Sequence, residues 1–99
     1  IEAEFSATVW YWRGPSPFYF ASTPAELSAE IQAIAPHFSY GWGAIPATIS
    51  IGSTVFSTSI FPRSGEYIVP LKKAVREKEN IDVDDHIVIH IDISKPGAV

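Results

Sequence analysis

His86, His90 and Asp92 stand on one side of the run His86-Ile-Val-Ile-His90-Ile-Asp92. Imidazole and carboxylate are common zinc ligands, so the spacing has to decide. Side chains four apart on a strand are roughly 13 Å from one another, too far for the two histidines to share an ion. His90 and Asp92, two apart at about 7 Å, could barely do so. An outward polar face beside an isoleucine face is the ordinary origin of such a pattern. No metal and no other cofactor is expected. Ser57, Thr58 and Ser59 supply hydroxyls, but no Gly-x-Ser-x-Gly elbow surrounds them and no histidine is placed as a base. No catalytic residue is assigned, and the chain is not expected to be an enzyme.

The aromatic residues offer more. Trp10, Trp12, Tyr40 and Trp42, with Arg63 and Tyr67, could line a pocket with a floor of rings and one cation. Such a pocket suits a small planar or anionic ligand. The same rings could equally fill the ends of a small barrel, because small barrels are filled by side chains. Gly41-Trp42-Gly43 is not a phosphate loop: it lacks the glycine spacing and the following lysine.

A second constellation is basic. Arg63, Lys72, Lys73 and Arg76 against Glu66 give residues 63–76 a net charge of +3, whereas 1–62 carry −3 and 77–99 carry −4. A basic patch on an acidic body can attract an anion, and it supplies the alternative reading, a nucleic-acid-binding regulator acting through these four residues. The overall charge of −4 is a poor footprint for duplex nucleic acid. Lysines of this kind are also what a solvated helix face carries.

These residues must be positioned by a chain of 99 residues, enough for one domain and one core. Hydrophobic residues make up 46% and charged residues 18%, which argues for a folded chain. The absence of cysteine removes disulfides, thiolate metal sites and a cysteine nucleophile, and fits a reducing compartment. No apolar run approaches the roughly 20 residues that span a bilayer. The alternating, acidic start, Ile1-Glu2-Ala3-Glu4-Phe5, does not resemble a secretory signal. A cytoplasmic location is expected.

The central segment, Thr58 to Arg76, is read as strand end, Pro/Gly turn, strand and basic helix, with the rest as its packing partners. Ile1 to Arg13 alternates, with Ile1, Ala3, Phe5, Ala7, Val9 and Tyr11 on the core side and Trp10 and Trp12 on the other. Arg13 to Pro17 is a turn by composition, and Phe18 to Ala21 a short aromatic strand. Thr23-Pro24-Ala25-Glu26 reads as a capping box with proline at the first helical position. Leu27, Ile31 and Ile34 continue a helix expected to end before Pro36. Pro36 to Gly43 is expected as a ring-rich loop.

A strand over Ala44 to Ile51 turns at Gly52-Ser53 into a strand over Thr54 to Phe61. Pro62 to Glu66 closes a second hairpin, returning through Tyr67-Ile68-Val69. A helix started by Pro70 should carry Leu71, Ala74 and Val75 inward and Lys72, Lys73 and Arg76 outward. Ile81 to Asp85 turns the chain into a strand whose inner face is Ile87, Ile89, Ile91 and Ile93. Phe18–Ala44 and Tyr67–Ile87 thus share one plan, strand, proline-initiated helix, loop and strand. Many short strands with tight turns favour a closed barrel, which leaves no exposed edge.

The anchors Phe5…Trp10-Tyr-Trp12, Pro24-Ala-Glu-Leu-Ser-Ala-Glu-Ile31, Gly41-Trp-Gly43, Ile51-Gly-Ser-Thr54, Ser59-Ile-Phe-Pro-Arg63, Gly65-Glu-Tyr67 and Lys72-Lys-Ala-Val-Arg76 cover nearly the whole chain. In this order they resemble a small bacterial family of domains of unknown function, DUF1905, often fused ahead of a bacteriocin-protection-type domain. The resemblance implies a double-split β-barrel with two short helices and no activity. A shorter stretch, Val75-Arg-Glu-Lys78 with Ile81, Asp85 and Val88, looks like half of the swapped-hairpin regulators of the AbrB and MazE type. The chain departs from those proteins in its acidic balance and in having Asp84 where they have glycine, so the likeness implies shared architecture and not DNA binding.

The expected fold is therefore mainly β (α+β), a single small closed six-stranded double-split β-barrel over residues 1–93 with two short helices, followed by a tail over 94–99. The expected function is that of a non-enzymatic accessory or binding module. Its partner would be a small molecule or a protein held at the aromatic loop, with self-association as a separate option. Neither nucleic acid nor a membrane is the expected partner.

Overall fold

The alternating first run does form a strand, but it divides at Val9. In the computed structural model, which describes residues 1–14, 18–38 and 43–94, the Val9 amide donates to the Asp85 carbonyl at 2.9 Å. The Val9 carbonyl accepts from the Asp84 amide at 2.8 Å. A residue tied to that turn cannot continue the ladder it came from. The chain before it, β1 (Glu2–Thr8), pairs antiparallel with the last strand, and the chain after it, β2 (Trp10–Trp12), pairs with β3 (Phe18–Ser22).

The remaining elements follow as α1 (Ala25–Phe38), β4 (Ile45–Ile51), β5 (Thr54–Arg63), β6 (Glu66–Pro70), α2 (Lys73–Glu79) and β7 (His86–Asp92). The strands make one sheet in the order β1-β7-β4-β5-β6-β3-β2. The fold is thus a small, mainly β domain with two helices, but the closed six-stranded barrel is not what forms. Seven strands curl into an open half-barrel whose two edges, β1 and β2, are consecutive in the chain. Splitting one expected strand at Val9 accounts for the additional strand and for both edges.

Isoleucine alternation sets the core. Ile45, Ile49, Ile60, Ile89 and Ile91 are fully buried, with Ile49 directly opposite Ile91 where β4 meets β7. Ile31 from α1 and Val69 from β6 join the same cluster. The ten-residue β5 links the two halves of the sheet: Thr54 to Ile60 pair with β4 and Phe61 to Arg63 with β6. The two-residue hairpin at Gly52-Ser53 forms as its sequence suggests, Ile51 facing Thr54. The second hairpin is tighter than expected, because β5 continues through Pro62 to Arg63 and only Ser64 and Gly65 turn. Both have positive φ, 51° and 82°, the left-handed geometry a two-residue type I′ turn needs.

Both helices differ in detail from the expected pattern. Thr23 does not serve as a simple helix cap. Its hydroxyl accepts the Tyr67 amide at 3.1 Å and pairs with the Ser28 hydroxyl at 2.6 Å, so it ties β3 to β6 before the helix begins. α1 continues through Pro36 to Phe38, since a proline in the final turn removes a single intrahelical bond, the one to the Gln32 carbonyl. Pro70 closes β6 rather than opening α2, whose N-cap is Lys72 with no side-chain cap. Leu71 and Val75 are buried as expected, but Ala74 is exposed, because a helix starting at Lys73 turns that position away from the core. The expected tail lies, beyond Ser94, outside the described residues.

Candidate binding site

The register of β2, β3, β6 and the end of β5 places a line of apolar side chains on one face. Directly opposed residues in antiparallel strands point the same way, and so do residues two apart. Trp10 faces Phe20 and Trp12 faces Phe18; Phe20 faces Pro70, and Ile68 faces Phe61, two residues before Arg63. These residues therefore share one face. The other face of the same strands carries Ala21, Tyr67, Val69 and Ile60, all in the core. The ring-bearing face is consequently the outer one.

Its cover is partial. Phe20 and Ile68 are buried, yet Trp12 is 43% exposed, Phe18 47% and Phe61 38%. Trp10 lies against Phe20 with ring centroids 5.1 Å apart, and Phe18 reaches Phe20 at 6.0 Å. The Trp10 indole N–H donates to the Ser22 hydroxyl at 2.9 Å, which fixes the ring. Above that ring lies the Arg63 guanidinium, its carbon 4.9 Å from the centroid. Trp10, Trp12, Phe20, Arg63 and Ile68 enclose a depression of about 150 Å³. A second depression, of about 190 Å³, lies on the other side of Arg63, among Gln32, Glu66 and Tyr67.

Of the expected pocket residues, the structure brings Trp10, Trp12 and Arg63 together. Tyr67 belongs to the adjacent depression and points to the core side of β6, 5% exposed. Burial raises its phenol above the ordinary tyrosine value. Tyr40 and Trp42 lie outside the described residues. Phe18, Phe20, Phe61 and Ile68 complete the face but were not singled out by sequence. In Phe18-Tyr19-Phe20 every position is aromatic, so alternation gives no sign of which rings point outward. The pairing of Phe61 with Ile68 would have given one, had the hairpin been placed at Ser64-Gly65.

The four basic residues are spread along β6. Arg63 stands at the hairpin tip opposite Glu66, whereas Lys72 and Lys73 follow the far end of the strand, roughly 20 Å further along the chain. Lys72 and Lys73 are exposed, but Arg76 is not a free outward cation. Its guanidinium covers the Tyr19 ring at 3.8 Å and its Nε donates to the Leu71 carbonyl at 3.1 Å. Tyr19 meets Tyr11 edge-on at 5.0 Å. The β2–β3 ribbon thus holds one arginine–aromatic cluster on each face.

The histidines find separate partners on the neighbouring strand. The His86 Nδ1 lies 3.0 Å from the Thr8 hydroxyl, and the His90 Nε2 lies 3.1 Å from the Glu2 carboxylate. Among the described residues no three of His, Asp and Glu converge as a metal site. No helix of the described residues is long and apolar enough to cross a membrane.

A family model described as "Domain of unknown function (DUF1905)" matches residues 5–91, a span that contains every residue of the outer face. No curated protein matches the chain at a significant level of similarity.

Proposed function

The chain belongs to the DUF1905 family of domains of unknown function, and from its geometry alone we propose that it is a binding module, not an enzyme, whose site is the aromatic outer face around Arg63. The observation that carries this reading is the Arg63 guanidinium lying over the Trp10 ring, its carbon 4.9 Å from the centroid, beside a small apolar depression. A guanidinium stacked on a ring keeps its N–H edge available, and that edge matches a carboxylate or phosphate with two parallel hydrogen bonds. The depression of about 150 Å³ is well below the volume that drug-sized ligands occupy, so one ring or a short apolar group is the fitting occupant. The ligand class is therefore a small planar group carrying a negative charge, either free or presented by a protein partner.

Tryptophan fluorescence tests this directly. Titration with benzoate, indole-3-acetate and adenosine monophosphate should give a saturable change for at least one of them, with no change for uncharged benzamide. The response should vanish in Arg63→Ala while the thermal melt stays two-state. No response to any of the three anions, or an equal response to benzamide, would remove the reading.

A further inference from the structure

We infer that the outer edge of β1, with the groove beside it, is a docking site for an extended, basic peptide segment that adds to the sheet as an eighth strand. β1 is one end of the sheet, so one of its edges has no strand partner among the described residues. The direction of its backbone groups follows from its first pair. The Ile1 amine donates to the Ile93 carbonyl at 2.9 Å and the Ile93 amide to the Ile1 carbonyl at 2.7 Å. In an antiparallel ladder such exchanged pairs alternate. Ala3, Phe5 and Ala7 therefore direct their amides and carbonyls at β7, and Glu2, Glu4 and Ser6 direct theirs away from it.

Beside this edge lies the largest depression described, about 440 Å³, between β1 and the first turns of α1. α1 packs chiefly on β6 and β4, and β1 approaches β3 as well as β7, so the open stretch is the one beside Ala3, Glu4 and Phe5 that the depression borders. Phe5 and Leu27 form an apolar floor, and Glu4, Glu26 and Glu30 supply three carboxylates; among the described residues no lysine, arginine or histidine lines it. Unpaired backbone groups, an apolar floor and a one-signed rim are the three components of strand addition with charge selectivity. The occupant this combination fits alternates small apolar residues, facing Phe5 and Leu27, with lysine or arginine. A second copy of the chain fits poorly: its own β1 would bring Glu2 and Glu4 to the same rim, and its Lys72, Lys73 and Arg76 lie in or beside a helix. The site is independent of the outer face of β2 and β3.

The test uses a fluorescein-labelled, end-capped peptide of four Lys-Val repeats and reads anisotropy at low salt. The peptide should bind, and the same peptide N-methylated at alternate amides should bind roughly tenfold more weakly or worse, because it loses two or three backbone hydrogen bonds. A Glu-Val peptide should not bind. Glu26→Gln with Glu30→Gln should weaken the Lys-Val peptide several-fold, and Arg63→Ala should leave it unchanged. Glu4→Pro removes one outward amide without touching the β7 ladder and should also weaken it, a thermal melt verifying that this variant folds. Equal binding of the N-methylated or the Glu-Val peptide, or no binding of the Lys-Val peptide, overturns the assignment. The N-methyl comparison needs no variant, so it decides the matter even if Glu4→Pro fails to fold.

Discussion

Arg63 lies over the ring of Trp10, 4.9 Å from guanidinium carbon to centroid, although one residue ends β5 and the other opens β2. The two strands are not neighbours in the sheet; β6 and β3 lie between them. The contact therefore spans the outer face and shields Phe20 and Ile68 beneath it. Arg63→Ala should cost about 0.5–1 kcal/mol, the usual size of an exposed cation–ring contact, and Arg63→Lys should recover only part of that. Urea denaturation followed by tryptophan emission checks both values. A neutral Arg63→Ala would mean that the stacking contributes nothing to stability.

Thr23 is the buried polar junction of the domain. It exchanges backbone and side-chain bonds with Tyr67, its amide donating to the Tyr67 carbonyl at 2.9 Å while its hydroxyl accepts the Tyr67 amide. Thr23→Val keeps the shape and leaves the buried Tyr67 amide without its acceptor, while the Ser28 hydroxyl still donates to the Pro24 carbonyl at 2.8 Å. A loss of about 1–3 kcal/mol is expected, the cost of stranding buried polar groups. Thr23→Ser should lose much less. Equilibrium unfolding of the two variants separates hydrogen bonding from packing, and equal losses would point to packing.

The β5–β6 turn holds Ser64 at φ 51° and Gly65 at φ 82°. A side chain at Gly65 would meet no atom within 4 Å, so any cost of Gly65→Ala is purely conformational. It should be about 1 kcal/mol, whereas Ser64→Asn should raise stability by a few tenths of a kcal/mol, asparagine entering the left-handed region more readily. Thermal denaturation of the two single variants measures both signs.

Tyr67 makes stability depend on alkaline pH. Burial raises its folded-state value above the ordinary one, so the folded chain holds the phenolic proton more tightly than the unfolded chain. This contribution is fully present below pH about 10 and is lost as pH rises from there through the folded-state value. Urea midpoints measured across that range should fall with pH in the wild type and fall less in Tyr67→Phe. Parallel slopes would show that Tyr67 does not titrate with unfolding.

Much of the architecture was legible in the chain because it rests on short-range patterns. The isoleucine alternation from Ile87 to Ile93 names its buried face without reference to any partner, and the structure buries Ile89, Ile91 and Ile93 and half-buries Ile87. Gly52-Ser53 marks its hairpin because a two-residue turn needs residues of that kind. Thr23-Pro24 marks the start of α1. The Arg63 end of the aromatic site was legible in part, as Trp10, Trp12 and Arg63 do meet. Phe18, Phe20, Phe61 and Ile68 were not, because membership of a shared face depends on register between strands distant in sequence.

What the sequence determined by itself is which residues alternate, where glycine and proline force turns, and that one apolar core is available to a mainly β chain with two helices. Only the tertiary structure decided that Val9 binds the turn at Asp84 and Asp85, splitting one run into two sheet edges, and that Arg76 is held on Tyr19 while Arg63 reaches Trp10. The physical reason is one of range. Alternation and turn preference follow from the local backbone, whereas strand order, register and the partner of a long charged side chain follow from which distant segments share a core.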